Sequence, residues 1–173
     1  MNKHYFSFFI GMPILIFLQV VVLNHLWIFE YFMPILYLYP LLKMPLETER
    51  WVILLLAALT GALMDLFMNT PGLNMASAVL AGYFRRPLLL ALISEEILEE
   101  TDGLLLPGGG TMKFFPYLLY LVLTTLVHTA ALFGLEAFSL GLFKLVIPYI
   151  FGGTAFSVIT YLLFDLFSHK KES

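Results

Sequence analysis

The 173-residue chain has no cysteine, which excludes a disulfide framework, a thiolate nucleophile and a zinc–thiolate site. Charge is also scarce. Nine Lys and Arg and twelve Asp and Glu make up 12% of the residues, where a soluble domain carries roughly a quarter. So few charges cannot coat a globule of this size, and an ordinary soluble domain is excluded. The net charge of −3 gives no basic footprint for nucleic acid. Four scattered histidines form no compact metal pattern, and no cofactor is expected. What the chain has is apolar surface: 61% of residues are hydrophobic and the mean hydropathy is +0.92. High hydrophobicity excludes disorder. The remaining class is an all-α integral membrane protein, a single polytopic domain with about six short helices.

Six apolar stretches are long enough for a hydrocarbon core of ~30 Å: residues 5–23, 28–44, 51–68, 73–93, 114–135 and 145–167. Each must be helical, because a span in lipid satisfies its backbone hydrogen bonds internally. A β-barrel needs alternating polar and apolar residues, and none alternate. The second stretch is the least regular, with Pro34, Pro40 and Glu30. The first has a basic start but an apolar run too long for a signal peptide and no small-x-small cleavage site after it, so it reads as a retained helix.

With six spans, Lys3, Lys43, Arg50, Arg85, Arg86, Lys113, Lys170 and Lys171 fall on one side and Lys144 alone on the other. That asymmetry predicts both termini in the cytoplasm, N-in and C-in, with Trp27 and Trp51 at opposite interfaces. The first two spans are rich in Phe, Ile, Leu and Tyr and suit lipid exposure or partner docking; the other four hold the small and polar residues and are expected to form the core. The one long loop, residues 94–113, is cytoplasmic in this reading. It carries Glu95, Glu96, Glu99, Glu100 and Asp102, then Leu104 to Pro107 and a glycine run at Gly108–Gly110.

Asp65 is the most informative residue. A carboxylate at a span centre costs about 2.5–3.5 kcal/mol, and less near the interface, so it requires a partner or a wet cavity. Gly61, Asp65 and Asn69 share one helix face, and Gly61 permits close approach of another backbone. Asn69, Pro71, Gly72 and Asn74 form a polar turn at the membrane surface. Two readings stand: a structural clamp in which Asp65 caps the next helix or pairs with a buried donor, or a ligand or partner contact. Small residues at Ala57 and Gly61, and at Ala78 and Gly82, predict a tight central hairpin of the third and fourth spans.

Arg85 and Arg86 precede Pro87 near the end of the fourth span. They are expected to snorkel to lipid headgroups, with an ion pair to the acidic loop or to a partner as the alternative. His128 lies midway along the fifth span with Thr124 and Thr125 on its stripe and Glu136 eight residues on. A hydrogen-bonded bundle histidine is the plain reading; a polar track from His128 through Glu136 toward the outer face, opposite Asp65, is the alternative. Gly152, Gly153, Thr154 and Ser157 suit close packing, and Asp165 reads as an interfacial residue. No G-x-S-x-G, H-E-x-x-H or phosphate-binding loop with its lysine is present, and enzyme is the weaker class.

Three stretches in order resemble the MreD family, membrane proteins of the bacterial rod-shape system, especially its Bacteroidetes version. The first is Leu18-Gln-Val-Val-Val-Leu-Asn24-His25. The second is Gly61-x-x-x-Asp65 with Asn69-Thr-Pro71-Gly72-Leu-Asn74, and the third is His128-x-x-x-Leu-Phe-x-Leu-Glu136-Ala-Phe-Ser139. The resemblance covers almost the whole chain; the long glycine-rich loop departs from it. It implies a non-enzymatic inner-membrane scaffold for cell-shape and peptidoglycan synthesis that binds an MreC-like bitopic protein. Through that partner it would reach MreB filaments and the wall-building transpeptidase and glycosyltransferase. It further implies six helices arranged as in the substrate-binding subunits of energy-coupling-factor transporters. Two alternatives stay open: a small-molecule-binding subunit of a transporter using Asp65, Asn69, Asn74, His128 and Glu136, and an intramembrane enzyme using Asp65 or His128. Self-association is left open.

Overall fold

The computed structural model describes residues 3–21, 34–100, 105–108, 111–137 and 143–169. Regular structure in these residues is helical throughout: α1 (Lys3–Val21), α2 (Tyr39–Leu42), α3 (Arg50–Met68), α4 (Leu73–Leu92), α5 (Glu95–Glu100), α6 (Phe114–Ala137) and α7 (Phe143–His169). Four of them, α3, α4, α6 and α7, are long and apolar enough to cross a membrane. Their bounds fall within two residues of the spans expected from the sequence. The protein is an α-helical, multi-pass membrane protein.

The helices pack in chain order, α3 on α4, α4 on α6 and α6 on α7, with α1 against α3. α3 and α4 form the tight hairpin that their small residues predict. A Cβ on Gly61 would stand 2.5 Å from Met75 Cα, so the two backbones touch there and only glycine fits. Further along, a Cβ on Gly82 would meet Ala57 Cβ at 3.3 Å. The reversal between the helices uses two left-handed residues, Asn69 (φ 55°) as the C-cap of α3 and Gly72 (φ 82°) as the N-cap of α4. Asparagine and glycine are the residues that tolerate this region.

The second expected span is not a membrane-crossing helix. Its first part, residues 28–33, lies outside the described residues. From Pro34 to Met44 the chain is irregular except for the single turn of α2. Proline accounts for this. Pro40 is accepted in the first turn of α2 because its missing N–H is unpaired there anyway. Pro45 then disfavours helical geometry at Met44 and ends the turn.

The expected division between peripheral and core spans is also corrected. Leu36, Tyr37, Leu38, Leu41, Leu42 and Met44 are all 2% exposed or less, so the broken segment is the centre of the core. α1 is peripheral, with Ile14 and Phe17 more than 60% exposed. Asn24, His25, Trp27, Glu30, Asp102, Ser139, Lys170 and Lys171 lie outside the described residues.

Candidate functional site

Irregular backbone inside a membrane protein leaves N–H and C=O groups without helical partners, and lipid supplies none. In residues 34–45 those partners are side chains from four surrounding helices. The Ile35 N–H donates to Ser157 Oγ at 2.8 Å, and the Leu36 N–H to Gln19 Oε1 at 2.6 Å. Gln19 Nε2 returns a bond to the Pro34 carbonyl at 2.9 Å, so one amide closes a donor and an acceptor. Ser157 can accept because its own hydrogen goes to the Gly153 carbonyl, one turn back on α7. Tyr161 donates to the Ile35 carbonyl and Tyr120 to the Leu42 carbonyl.

Arg85 completes the set. It is 1% exposed and donates to the Met44 carbonyl and, at 3.4 Å, to the Pro45 carbonyl. The expectation that it snorkels to headgroups is therefore corrected. A helix rotates about 100° per residue, so neighbouring arginines on α4 face differently: Arg85 points into the bundle and Arg86 is exposed. A buried guanidinium is costly unless acceptors meet it; two carbonyls of the proline-broken segment do so at Nη2, while Nε has no partner among the described residues.

At the other end of the bundle Asp65 performs the opposite task. It is 7% exposed. Its Oδ1 accepts from the Asn74 N–H at 2.9 Å, Asn74 Nδ2 at 3.0 Å and Thr70 Oγ1 at 2.9 Å; Oδ2 accepts from the Met75 N–H at 3.0 Å. Asn74 and Met75 are in the first turn of α4, where amides have no intrahelical partner. A carboxylate there also meets the positive end of the helix dipole. This is the clamp reading of Asp65, reached across the hairpin that Gly61 lets close. Asn69 and Pro71 serve the turn and are exposed.

Asn74 links this cap to the interior. Its Nδ2 also donates to Thr70 Oγ1, which leaves Oδ1 to accept the Tyr37 hydroxyl hydrogen at 3.1 Å. Tyr37 Oη then accepts from His128 Nε2 at 2.6 Å, which places the ring hydrogen on Nε2. A continuous chain of bonds thus runs His128, Tyr37, Asn74, Asp65. His128 is fully buried, and its Nδ1 has no partner among the described residues. The expected track from His128 through Glu136 is corrected: Glu136 is exposed on α6 and takes no part.

The sequence reading missed the polar cluster at the opposite end. Lys43 Nζ lies 2.7 Å from Asp165 Oδ1 and donates to Tyr117 Oη at 3.0 Å; Tyr39 donates to Asp165 Oδ1 at 2.6 Å, and Tyr117 donates to Oδ2. Asp165 is therefore a partner of the broken segment, not merely an interfacial residue. Nearby, the Leu46 N–H donates to the Leu105 carbonyl at 2.9 Å and Glu47 accepts the Leu105 N–H, which ties the long loop to the same segment. Nothing local marks these partners, because they are 48 to 126 residues apart in sequence.

The site is thus a buried strand of the protein's own chain with side chains committed to it. No group of three or more His, Asp or Glu placed to hold a metal occurs among the described residues. Comparison with known proteins finds no matching protein-family model, no matching curated protein and no matching solved structure.

Proposed function

We propose that this chain is a non-enzymatic membrane scaffold of the bacterial cell-shape and peptidoglycan-synthesis machinery, an MreD-like protein of the inner membrane that grips an MreC-like partner. One observation carries the reading. The polar side chains best suited to chemistry or ligand capture, Asp65, Asn74, Arg85 and His128, are bonded to the chain's own backbone and side chains: Asp65 to the first turn of α4, and Asn74, Arg85 and His128 to residues 34–45. What remains to meet other molecules is helix surface and short loops. α3 presents Leu55, Leu59, Leu63, Leu66 and Phe67, all exposed, on its outward side. An apolar face of this kind suits a partner's single membrane helix. Against the transporter alternative, buried Tyr37 stands between Asn74 and His128, two of the side chains that would line its pocket.

Orientation follows from charge. Lys43, Arg50, Arg85, Arg86 and Lys113 gather where α3 and α6 begin and α4 and α7 end, and Lys144 begins α7 at the opposite end. Cytoplasmic loops are enriched in Lys and Arg, so the first end faces the cytoplasm and the Asp65 turn faces outward.

The test is co-purification. The tagged, full-length protein, solubilised from its native membrane, is expected to retain an MreC-like protein, and Leu59→Trp with Leu63→Trp to reduce that retention while the bundle stays folded. A monodisperse, folded protein that never retains such a partner would overturn the proposal.

A further inference from the structure

We infer that the groove between the start of α3 and the last turns of α4 is a binding site for the headgroup of an anionic phospholipid. A cavity of about 250 Å³ opens there, lined by Arg50, Arg86, Pro87 and Leu90. All four are exposed, so the groove lies on the outer surface of the bundle, clear of the buried clamps. Its two cations are disposed differently. Arg50 is stacked over the Tyr83 ring at 5.0 Å, which orders its guanidinium before any ligand arrives. Arg86 is left facing outward because its neighbour Arg85 takes the inward position. The nearest carboxylate in sequence, Glu49, is engaged with the Trp51 indole N–H.

The chemistry selects the ligand. Two planar five-donor cations at the rim match a phosphodiester, which guanidinium contacts with paired N–H bonds. The rest of the lining, which we take as its floor, is apolar: Pro87 and Leu90, with Leu90 46% exposed. A free phosphate leaves that floor uncovered, whereas glycerol and the first acyl carbons of a phospholipid cover it. Trp51, 62% exposed one residue past Arg50, is the kind of side chain that sits at headgroup level. The pairing of a basic rim with an apolar floor at the basic end of the bundle is the geometry of a lipid headgroup site.

Native mass spectrometry of the full-length protein in detergent tests this, with phosphatidylglycerol, phosphatidylcholine or inorganic phosphate added as separate probes. Phosphatidylglycerol should be retained preferentially over phosphatidylcholine. Arg50→Gln and Arg86→Gln should each weaken retention about fivefold, since a basic side chain near a lipid surface contributes about that factor. Arg86→Lys, which keeps the charge but not the fork, should fall between. Lys144→Gln, at the other end of the bundle, should leave retention unchanged. Equal retention of both lipids, unaltered retention in the Arg50→Gln, Arg86→Gln double variant with its thermal unfolding unchanged, or displacement of the lipid by millimolar inorganic phosphate would overturn the proposal.

Discussion

The Asp65 clamp and the Arg85 clamp solve the same problem with opposite charges. Asp65 is an anion that gathers orphan donors, the first-turn amides of α4; Arg85 is a cation that gathers carbonyls, the otherwise unpartnered one of Met44 and that of Pro45, which also accepts the Thr48 N–H. The first is local, closing contacts across ten residues of chain; the second reaches 41 residues back. The difference teaches what each one stabilises. Asp65 fixes the turn of a hairpin that small residues already bring together, while Arg85 fixes a proline-broken segment with little helix of its own. Loss of the second clamp should therefore cost more.

Four substitutions sharpen that contrast. Arg85→Ala should have the largest effect, about 4 kcal/mol, because it strands the buried Met44 carbonyl, strips a second bond from the Pro45 carbonyl and leaves a side-chain-sized void. Unfolding of the purified protein in SDS measures it, and a loss below that of Asp65→Asn would break the comparison. Gly61→Ala comes next, at about 3 kcal/mol, since the added methyl meets backbone and the hairpin must separate. The same assay applies. Asp65→Asn should cost about 2 kcal/mol: shape is kept, but an amide nitrogen in place of one oxygen turns a donor toward one of the cap's own donors. Thermal unfolding followed by size-exclusion recovery reads this. Ser157→Ala should be smallest, about 1 kcal/mol, as it leaves the single N–H of Ile35 unpaired. Hydrogen exchange at Ile35 should speed up in that variant while α4 amides keep their protection.

Legibility in the sequence divides along the same line. The four long helices were readable because apolar run length and breakers such as Asn69, Pro71 and Gly72 are local signals, and a span in lipid has no alternative to helix. The Asp65 cap was readable because its acid, its glycine and its turn lie within fifteen residues. The segment at residues 34–45 misled because a strand buried inside protein is as apolar as one buried in lipid, and hydropathy does not separate the two. Its prolines were the available signal: Pro34 and Pro40 make this the least regular of the six stretches, but not visibly a broken one. Gln19, Tyr37, Tyr161 and the Lys43–Asp165 pair were not readable at all, since their roles come from contacts that only the assembled bundle creates. Arg85 and Arg86 were read as a unit, and a rotation of one residue separates their fates.

The account rests on residues 34–45 being a broken segment held by the side chains around it. Carbon-13 secondary shifts of these residues, recorded by solid-state NMR with the protein in lipid bilayers, test this directly. The predicted result is helical shifts confined to the turn of α2 and its two caps, Leu38 to Lys43, with non-helical values at Ile35, Leu36 and Met44, beside an uninterrupted helical run from Trp51 to Phe67. Continuous helical shifts from Pro34 through Met44 would contradict it.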